Sequence, residues 1–161
     1  NNTDDADRLN TIFSTLNKLS KENEVELVIP LHPRTSNAIE ELMDSKNEEA
    51  INSNPLMKLL PPASFLDMIA LESQCQMVMT DSGGVQKEAY FFKKPSIILR
   101  SETEWKEIVD VGAGMVTDAD KEQILDAYEH FKLHGEKLEY PSIFGDGNAA
   151  GFICQTIMNN K

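Results

Sequence analysis

The stretch that decides the fold runs from Met79 to Glu107 and reads MTDSGGVQKEAYFFKKPSIILRSETEWKE. Its pattern predicts a strand, a sharp turn at Gly83 and Gly84, a helix over 85–92, a second strand over 96–99 and a polar loop that opens another helix. Such a stretch places free backbone amides at the start of its first helix, where the helix dipole is positive. The pattern therefore predicts a phosphate-binding turn.

Ser82 lies beside these amides. Its hydroxyl and the amides of Gly83 and Gly84 can surround phosphate oxygens without a charged side chain. The same residues also form an ordinary strand-to-helix turn capped by Asp81 or Ser82, and the pattern alone leaves both interpretations open. Ser82 is not expected to be a nucleophile, because the sequence has no Gly-x-Ser-x-Gly elbow around it.

Short apolar runs alternate with helical patterns along the rest of the chain. This alternation predicts a parallel sheet with helices on both faces, a Rossmann-like doubly wound α/β domain that binds ligands at the carboxyl ends of its strands. His32, Ser82 and Arg100 directly follow predicted strands, and we expect them at one edge of the sheet. The predicted strands are 25–31, 57–60, 76–80, 96–99 and 115–116, and helices are predicted through Leu19, over 36–42, from Ser64, over 85–92 and 104–109, from Asp120 to His134, and over 148–159.

Local signals set the boundaries of the early helices. Thr3 or Asp4 is expected to cap the first helix, and Ser36 or Asn37 the second. Residues 44–54 have neither apolar content nor a period, and they predict a mobile loop. The apolar stripe of the first helix is Leu9, Ile12, Phe13, Leu16 and Leu19, and the helix from Ser64 is expected to turn Phe65, Met68, Ile69 and Leu71 inward.

Composition narrows the class of protein. A chain of 161 residues with 40% hydrophobic content is long enough for one domain with a core. The formal net charge of −12 argues against nucleic acid and against an anionic membrane as partners. The isolated Cys75 and Cys154 predict a reduced, cytoplasmic setting. No metal or redox cofactor is expected, because the three histidines and two cysteines show no ligand spacing.

Five segments together resemble one protein family. They are Thr80–Ala89 (TDSGGVQKEA), Lys94-Pro95, Arg100–Glu104 (RSETE), residues 2–5 (NTDD) and residues 144–149 (FGDGNA). They are similar to the carboxyl-terminal half of the non-hydrolysing UDP-N-acetylglucosamine 2-epimerases, in which the early segment follows a His-Arg-x-Glu-Asn element and the late one reads Tyr-Gly-Asp-Gly-x-Ala. The resemblance implies that residues 1–161 form the UDP-binding half of a two-domain GT-B-type fold. The amino-terminal domain is then expected to be absent, and the chain to be a fragment of a protein about twice as long.

The resemblance also implies a reaction. Such enzymes invert C2 of a UDP-2-acetamido sugar by elimination and re-addition of UDP. It implies that Ser82, Gly83 and Gly84 hold the diphosphate and that Glu88 accepts both ribose hydroxyls. The acid and base carboxylates of the family lie in the other half, so we expect this fragment to bind UDP without catalysis. Its expected partners are the UDP-sugar, the amino-terminal domain of the same protein and, at full length, a second copy in a homodimer.

Four further residues complete the predicted site. His32 and Arg34 follow the first strand, where His32 is either a substrate contact or a structural hydrogen-bonding group and Arg34 is either an anion contact or a surface residue. Arg100 and Glu104 flank the later loop. The family pattern there is Arg-x-x-Thr-Glu-Arg-Pro-Glu, and Trp105 and Lys106 depart from it. At these positions the chain resembles a subgroup of the family that epimerises UDP-2,3-diacetamido-glucuronic acid. Trp105 is also a candidate core aromatic.

Two other functions remain open from the sequence. A retaining glycosyltransferase of the GT-B type shares the fold and a Glu that holds the nucleotide. A non-enzymatic receiver module would use Asp81 as a phosphoacceptor, but the chain lacks the acidic pair expected after a first strand.

Overall fold

The structure, a computed structural model, describes residues 4–159. Short strands alternate with helices, which confirms the predicted α/β class. The strands are β1 (Leu27–Pro30), β2 (Met57–Leu60), β3 (Val78–Thr80), β4 (Ser96–Ile98) and β5 (Gly114–Val116). The helices are α1 (Ala6–Asn23), α2 (Pro33–Leu42), α3 (Ser45–Asn52), α4 (Phe65–Gln74), α5 (Gly83–Phe91), α6 (Lys106–Asp110), α7 (Lys121–His134) and α8 (Ala149–Asn159), with a 3₁₀ turn at Gly135–Lys137.

Every strand pair is parallel, as predicted, but the hydrogen-bonded ladder is divided. β1 pairs with β2, and β3, β4 and β5 form a second ladder in that order. Within residues 4–159 no hydrogen-bonded ladder joins the two parts. The strands are only three or four residues long, and Pro30 removes one amide donor from β1, so few groups are left to extend the pairing.

The main core lies between α1 and the strands. The predicted stripe on α1 is confirmed, since all five of its apolar residues are buried, and Ile97 of β4 with Ile124 and Phe131 of α7 join the same cluster. Burying one such side chain stabilises the fold by about 1.5–3 kcal/mol. Asp5 caps α1 by accepting the Arg8 amide at 3.0 Å. The predicted cap at Asp4 is therefore wrong by one residue, and Thr3 lies outside the described residues.

The next two helices differ from the prediction. His32 caps α2 and Pro33 opens it, so a cap at Ser36 or Asn37 is wrong. Proline suits this first position because its missing amide is one that the helix cannot use. Residues 45–52 form helix α3 rather than a mobile loop, since Asp44 caps it at 2.7 Å from the Asn47 amide. Ile51, 3% exposed, is its only buried residue.

Helix α4 begins as predicted but turns a different face inward. Ser64 and Asp67 form a reciprocal capping box at its start. Phe65 is 70% exposed, so its predicted burial is wrong, whereas Glu72 is 3% exposed. Met68, Ile69 and Leu71 are half-buried.

A second, smaller cluster connects α5, α6 and the segment before α8. Its buried members are Tyr90, Ile108 and Ala113, and Trp105 and Phe144 pack against them. Beyond it, α8 has no buried residue among those described and exposes four large apolar side chains, which are Phe152, Ile153, Ile157 and Met158. No helix in residues 4–159 is both long and apolar enough to cross a bilayer.

Candidate functional site

The site is built on the carboxyl ends of β3 and β4. Thr80 ends β3 and lies opposite Ile98, which ends β4. Ser82 and Arg100 each follow two residues later, so parallel pairing brings them to one edge of the ladder, as the sequence predicts. His32 occupies the same position after β1, but β1 belongs to the other ladder.

Helix α5 starts directly at Gly83, with Ser82 as its extended N-cap residue. The first bond of the helix runs from the Gln86 amide to the Ser82 carbonyl at 3.2 Å. The three preceding amides, those of residues 83–85, therefore have no partner within the helix. The Ser82 hydroxyl makes no capping hydrogen bond, and the Ser82 amide donates to the Thr80 hydroxyl at 3.0 Å. This arrangement leaves a hydroxyl and three amides at the positive end of a helix dipole, which suits a phosphate group.

The glycines serve a different purpose from the predicted sharp turn. Neither Gly83 nor Gly84 has a positive φ, and both lie in the first turn of α5. A Cβ atom at Gly83 would lie 1.9 Å from Oε1 of Glu104, whereas one at Gly84 would meet only the Ser82 hydroxyl, at 3.8 Å. The absence of a side chain at Gly83 leaves room for the end of the Glu104 side chain, and backbone strain is not involved.

That segment is the loop over residues 100–105. Arg100 donates to the Glu104 carboxylate at 2.9 Å, so the carboxylate that lies over Gly83 has a cation beside it. The Trp105 indole N–H donates to the Gly83 carbonyl at 2.8 Å. The Thr103 hydroxyl donates to the Gln86 side chain at 2.6 Å. The loop is thus fastened to the first turn of α5, next to the predicted phosphate position.

Trp105 has the surroundings of a core aromatic, and its part in the choice of sugar stays a prediction. Its ring packs edge to face on Phe144 at 5.6 Å between centroids, as a core aromatic does. The Lys87 ammonium lies 4.3 Å from the centre of the same ring. Its indole N–H is at the same time a contact of the phosphate turn. Lys106, the other departure from the family pattern, is exposed at the start of α6.

Glu88 lies on α5 beyond the phosphate turn, and a second acid accompanies it. Glu72 of α4 is buried, and burial, followed by the charge of Glu88, raises the pKa of Glu72 to about 7. Sequence reasoning missed Glu72. The available signal was its spacing, because it falls four residues after Met68 and three after Ile69, on the face predicted to be inward.

His32 and Arg34 have structural partners of their own. His32 Nδ1 accepts the Arg34 amide at 3.2 Å, which is the cap of α2. Arg34 holds Asp4 at two points, with Nε to Oδ1 at 3.0 Å and Nη2 to Oδ2 at 2.5 Å. Arg34 therefore presents its guanidinium fork to a carboxylate. Substrate contact by either residue stays a prediction.

Across residues 4–159 no three or more His, Cys, Asp or Glu side chains are grouped so that they could hold a metal ion.

Comparison with known proteins gives one consistent result. A family model described as UDP-N-acetylglucosamine 2-epimerase matches residues 1–158. The chain is 37% identical, over 98% of its length, to a UDP-N-acetylglucosamine 2-epimerase homolog of Methanococcus maripaludis and covers 42% of that protein. It is 41% identical, over 96% of its length, to the UDP-2,3-diacetamido-2,3-dideoxy-D-glucuronate 2-epimerase of Pseudomonas aeruginosa and covers 40% of it.

A solved structure agrees with these relatives. The UDP-GlcNAc 2-epimerase of Methanocaldococcus jannaschii, in complex with UDP-GlcNAc and UDP, superposes with a TM-score of 0.84 at 30% identity. The match covers 98% of this chain and 42% of that one. The chain therefore spans about two fifths of the length of the proteins that it matches.

Proposed function

Since this chain belongs to the UDP-N-acetylglucosamine 2-epimerase family, we propose that residues 1–161 are the UDP-binding domain of a UDP-sugar 2-epimerase. The observation that carries the proposal is the start of α5, where the Ser82 hydroxyl makes no capping hydrogen bond and the amides of residues 83–85 have no partner within the helix. The solved relative in complex with UDP supports a nucleotide as the ligand. The diphosphate is proposed to bind Ser82, Gly83 and Gly84, and the ribose hydroxyls to bind Glu88.

The proposed chemistry is elimination followed by addition. The C2 proton leaves, the bond from C1 to the diphosphate oxygen breaks, and a 2-acetamidoglucal forms. UDP then adds to C1 while a proton returns to the other face of C2. Amide donors at a helix start stabilise the charge that develops on the departing diphosphate, and they need no reorganisation to do so.

Arg100 and Glu104 are also proposed to take part in binding the departing diphosphate. Glu104 now lies over Gly83 and holds Arg100 at 2.9 Å. A diphosphate at the turn competes with this carboxylate for Arg100. We expect Arg100 to exchange Glu104 for phosphate oxygens when UDP binds, because phosphate offers the guanidinium a two-point contact and more charge, whereas Glu104 accepts from it through one oxygen.

The proposal that this chain binds UDP without catalysing the reaction can be tested on the chain itself. We expect titration calorimetry to show UDP binding, and an NMR assay of C2 inversion to show no turnover of UDP-sugars, since the proton-transferring groups are proposed to lie in the rest of the protein. Turnover of a UDP-sugar by this chain alone refutes the proposal that the proton-transferring groups lie in the rest of the protein. Absence of UDP binding refutes the site.

The sugar is proposed to be UDP-2,3-diacetamido-glucuronate. The relative from Pseudomonas aeruginosa, which is named for that substrate, is 41% identical to this chain. Trp105 contacts the phosphate turn through Gly83, and Arg34 already binds a carboxylate, that of Asp4. The sugar carboxylate is proposed to replace Asp4 on Arg34. Measuring kcat/KM of the full-length enzyme for this sugar and for UDP-N-acetylglucosamine decides between them.

A glycosyltransferase is the remaining enzyme alternative. Family membership favours the epimerase. Product analysis separates the two reactions, because transfer of the sugar to an acceptor would contradict the epimerase assignment.

A further inference from the structure

The inference starts from an acid that the proposed mechanism does not use. Glu72 is 3% exposed on α4, and neither oxygen of its carboxyl group accepts a hydrogen bond from a donor among the described residues. A buried carboxylate without a partner is strongly disfavoured, so such a group either finds a partner or keeps its proton.

The group that faces Glu72 is another acid. Helix α5 packs on α4 and brings Glu88 next to it. The other ionisable neighbours are Cys75, whose Sγ donates to the Glu72 carbonyl at 3.2 Å, and Lys94, whose charge acts on Cys75. Burial, and then the charge of Glu88, raise the pKa of Glu72 to about 7.

Two neighbouring acids can interact favourably when one of them keeps its proton. Two carboxylates have no proton to share and repel each other, whereas a carboxyl O–H donates a strong hydrogen bond to a carboxylate. A carboxylate has about four acceptor positions, so one that receives such a bond still has room for two hydroxyl donors.

We propose that Glu72 is a positioning residue, whose carboxyl O–H donates to the Glu88 carboxylate and holds it in place for the two ribose hydroxyls of the nucleotide. This inference rests on the proposed UDP site and adds a proton requirement to it. When Glu72 loses its proton, the two carboxylates repel and Glu88 is no longer held. Recognition of the ribose then weakens as the pH rises through neutrality, while diphosphate contacts at Ser82–Gly84 do not depend on Glu72.

The test compares UDP with 2′,3′-dideoxy-UDP by calorimetry between about pH 6 and pH 8.5, the range around the ionisation of Glu72. Both ligands carry the same diphosphate, so their affinity ratio reports the hydroxyl contacts alone. We expect the wild-type preference for UDP to be about tenfold at the acid end and to fall to about twofold at the alkaline end.

Three variants make the result specific. Glu72→Gln donates from its amide at every pH, so its preference should stay high and flat. Glu72→Met donates nothing and should show the low preference at every pH, with unchanged affinity for the dideoxy ligand. Glu41→Gln, the same change at an exposed site on α2, should follow the wild type. A flat wild-type preference, or an equal fall in Glu72→Gln, overturns the inference.

A second measurement separates this inference from the proposed function. In the ligand-free chain with 13C-labelled glutamate, the Cδ resonance of Glu72 should titrate near pH 7, and that of Glu88 should shift at the same pH. In Glu72→Gln the shift of Glu88 near pH 7 should be absent. If the chain shows both NMR responses but does not bind UDP, the UDP site is refuted and the hydrogen bond between Glu72 and Glu88 is not. If the Glu88 resonance does not respond when Glu72 ionises, the hydrogen bond between the two residues is refuted even when UDP binds.

Discussion

Replacing Glu72 by Gln should change how the stability of the fold depends on pH. The pKa of Glu72 rises from 4.5 to about 7 on folding, so between these values the folded chain binds more protons than the unfolded one. The free energy of unfolding then falls as the pH rises through this window and is constant above it. At 1.36 kcal/mol per pKa unit, the loss from Glu72 is about 3 kcal/mol.

Glutamine has no proton to lose, so Glu72→Gln should escape this loss. We expect the stability of Glu72→Gln minus that of the wild type to grow by about 3 kcal/mol from about pH 4 to above pH 7. Urea unfolding at each pH measures both, and taking the difference cancels the other titrating groups. Glu41→Gln should give a difference within about 0.5 kcal/mol at every pH. A Glu72→Gln difference that does not change with pH would show that Glu72 has the same pKa in the folded and the unfolded chain, and the reasoning about its proton would be wrong.

Three further substitutions test the site. Glu88→Gln should weaken UDP binding by roughly 1.5–3 kcal/mol and pyrophosphate binding much less, because it removes a charge-assisted acceptor of hydroxyls; equal losses in calorimetry would mean that Glu88 acts through the fold. Gly83→Ala places a methyl group 1.9 Å from a Glu104 oxygen, beside the proposed phosphate position, so UDP affinity should fall about tenfold while stability stays within about 1 kcal/mol; Gly151→Ala, on α8 with nothing within 4 Å of the added Cβ, is the matched control, and equal effects would contradict the role of Gly83. Arg34→Ala should narrow the preference of the full-length enzyme for the uronic-acid sugar by about tenfold in kcat/KM, the effect of one charge-assisted contact; an unchanged ratio would remove Arg34 from substrate recognition.

The elements that could be predicted are those whose signals are local. β2 was predicted with the bounds that the structure shows, Met57–Leu60, because a short apolar run ends at two prolines. Helix α7 was predicted from Asp120, which caps it at 2.9 Å from the Gln123 amide. The start of α5 beside Ser82 was predictable because hydroxyl, glycines and helix follow one another along the chain, and its binding of phosphate stays a prediction.

What was missed depends on contacts between distant segments. Helix α3 is eight residues long with a single buried side chain, Ile51, so its sequence has almost no period to read. The inward face of α4 is set by packing on α5, which buries Glu72 and leaves Phe65 exposed. The space beside the Gly83 Cα is filled by Glu104, a residue that belongs to a later loop. Spacing within one segment carries no information about such neighbours.

The indole of Trp105 gives this site a natural optical signal. It is the chain's single tryptophan, it hydrogen bonds to the Gly83 carbonyl at 2.8 Å, and an ammonium group lies 4.3 Å from its ring. Indole emission responds to nearby charge and to hydrogen bonding of its N–H. Because no second tryptophan contributes background, the intrinsic fluorescence of the unlabelled chain reports directly on what happens at the first turn of α5.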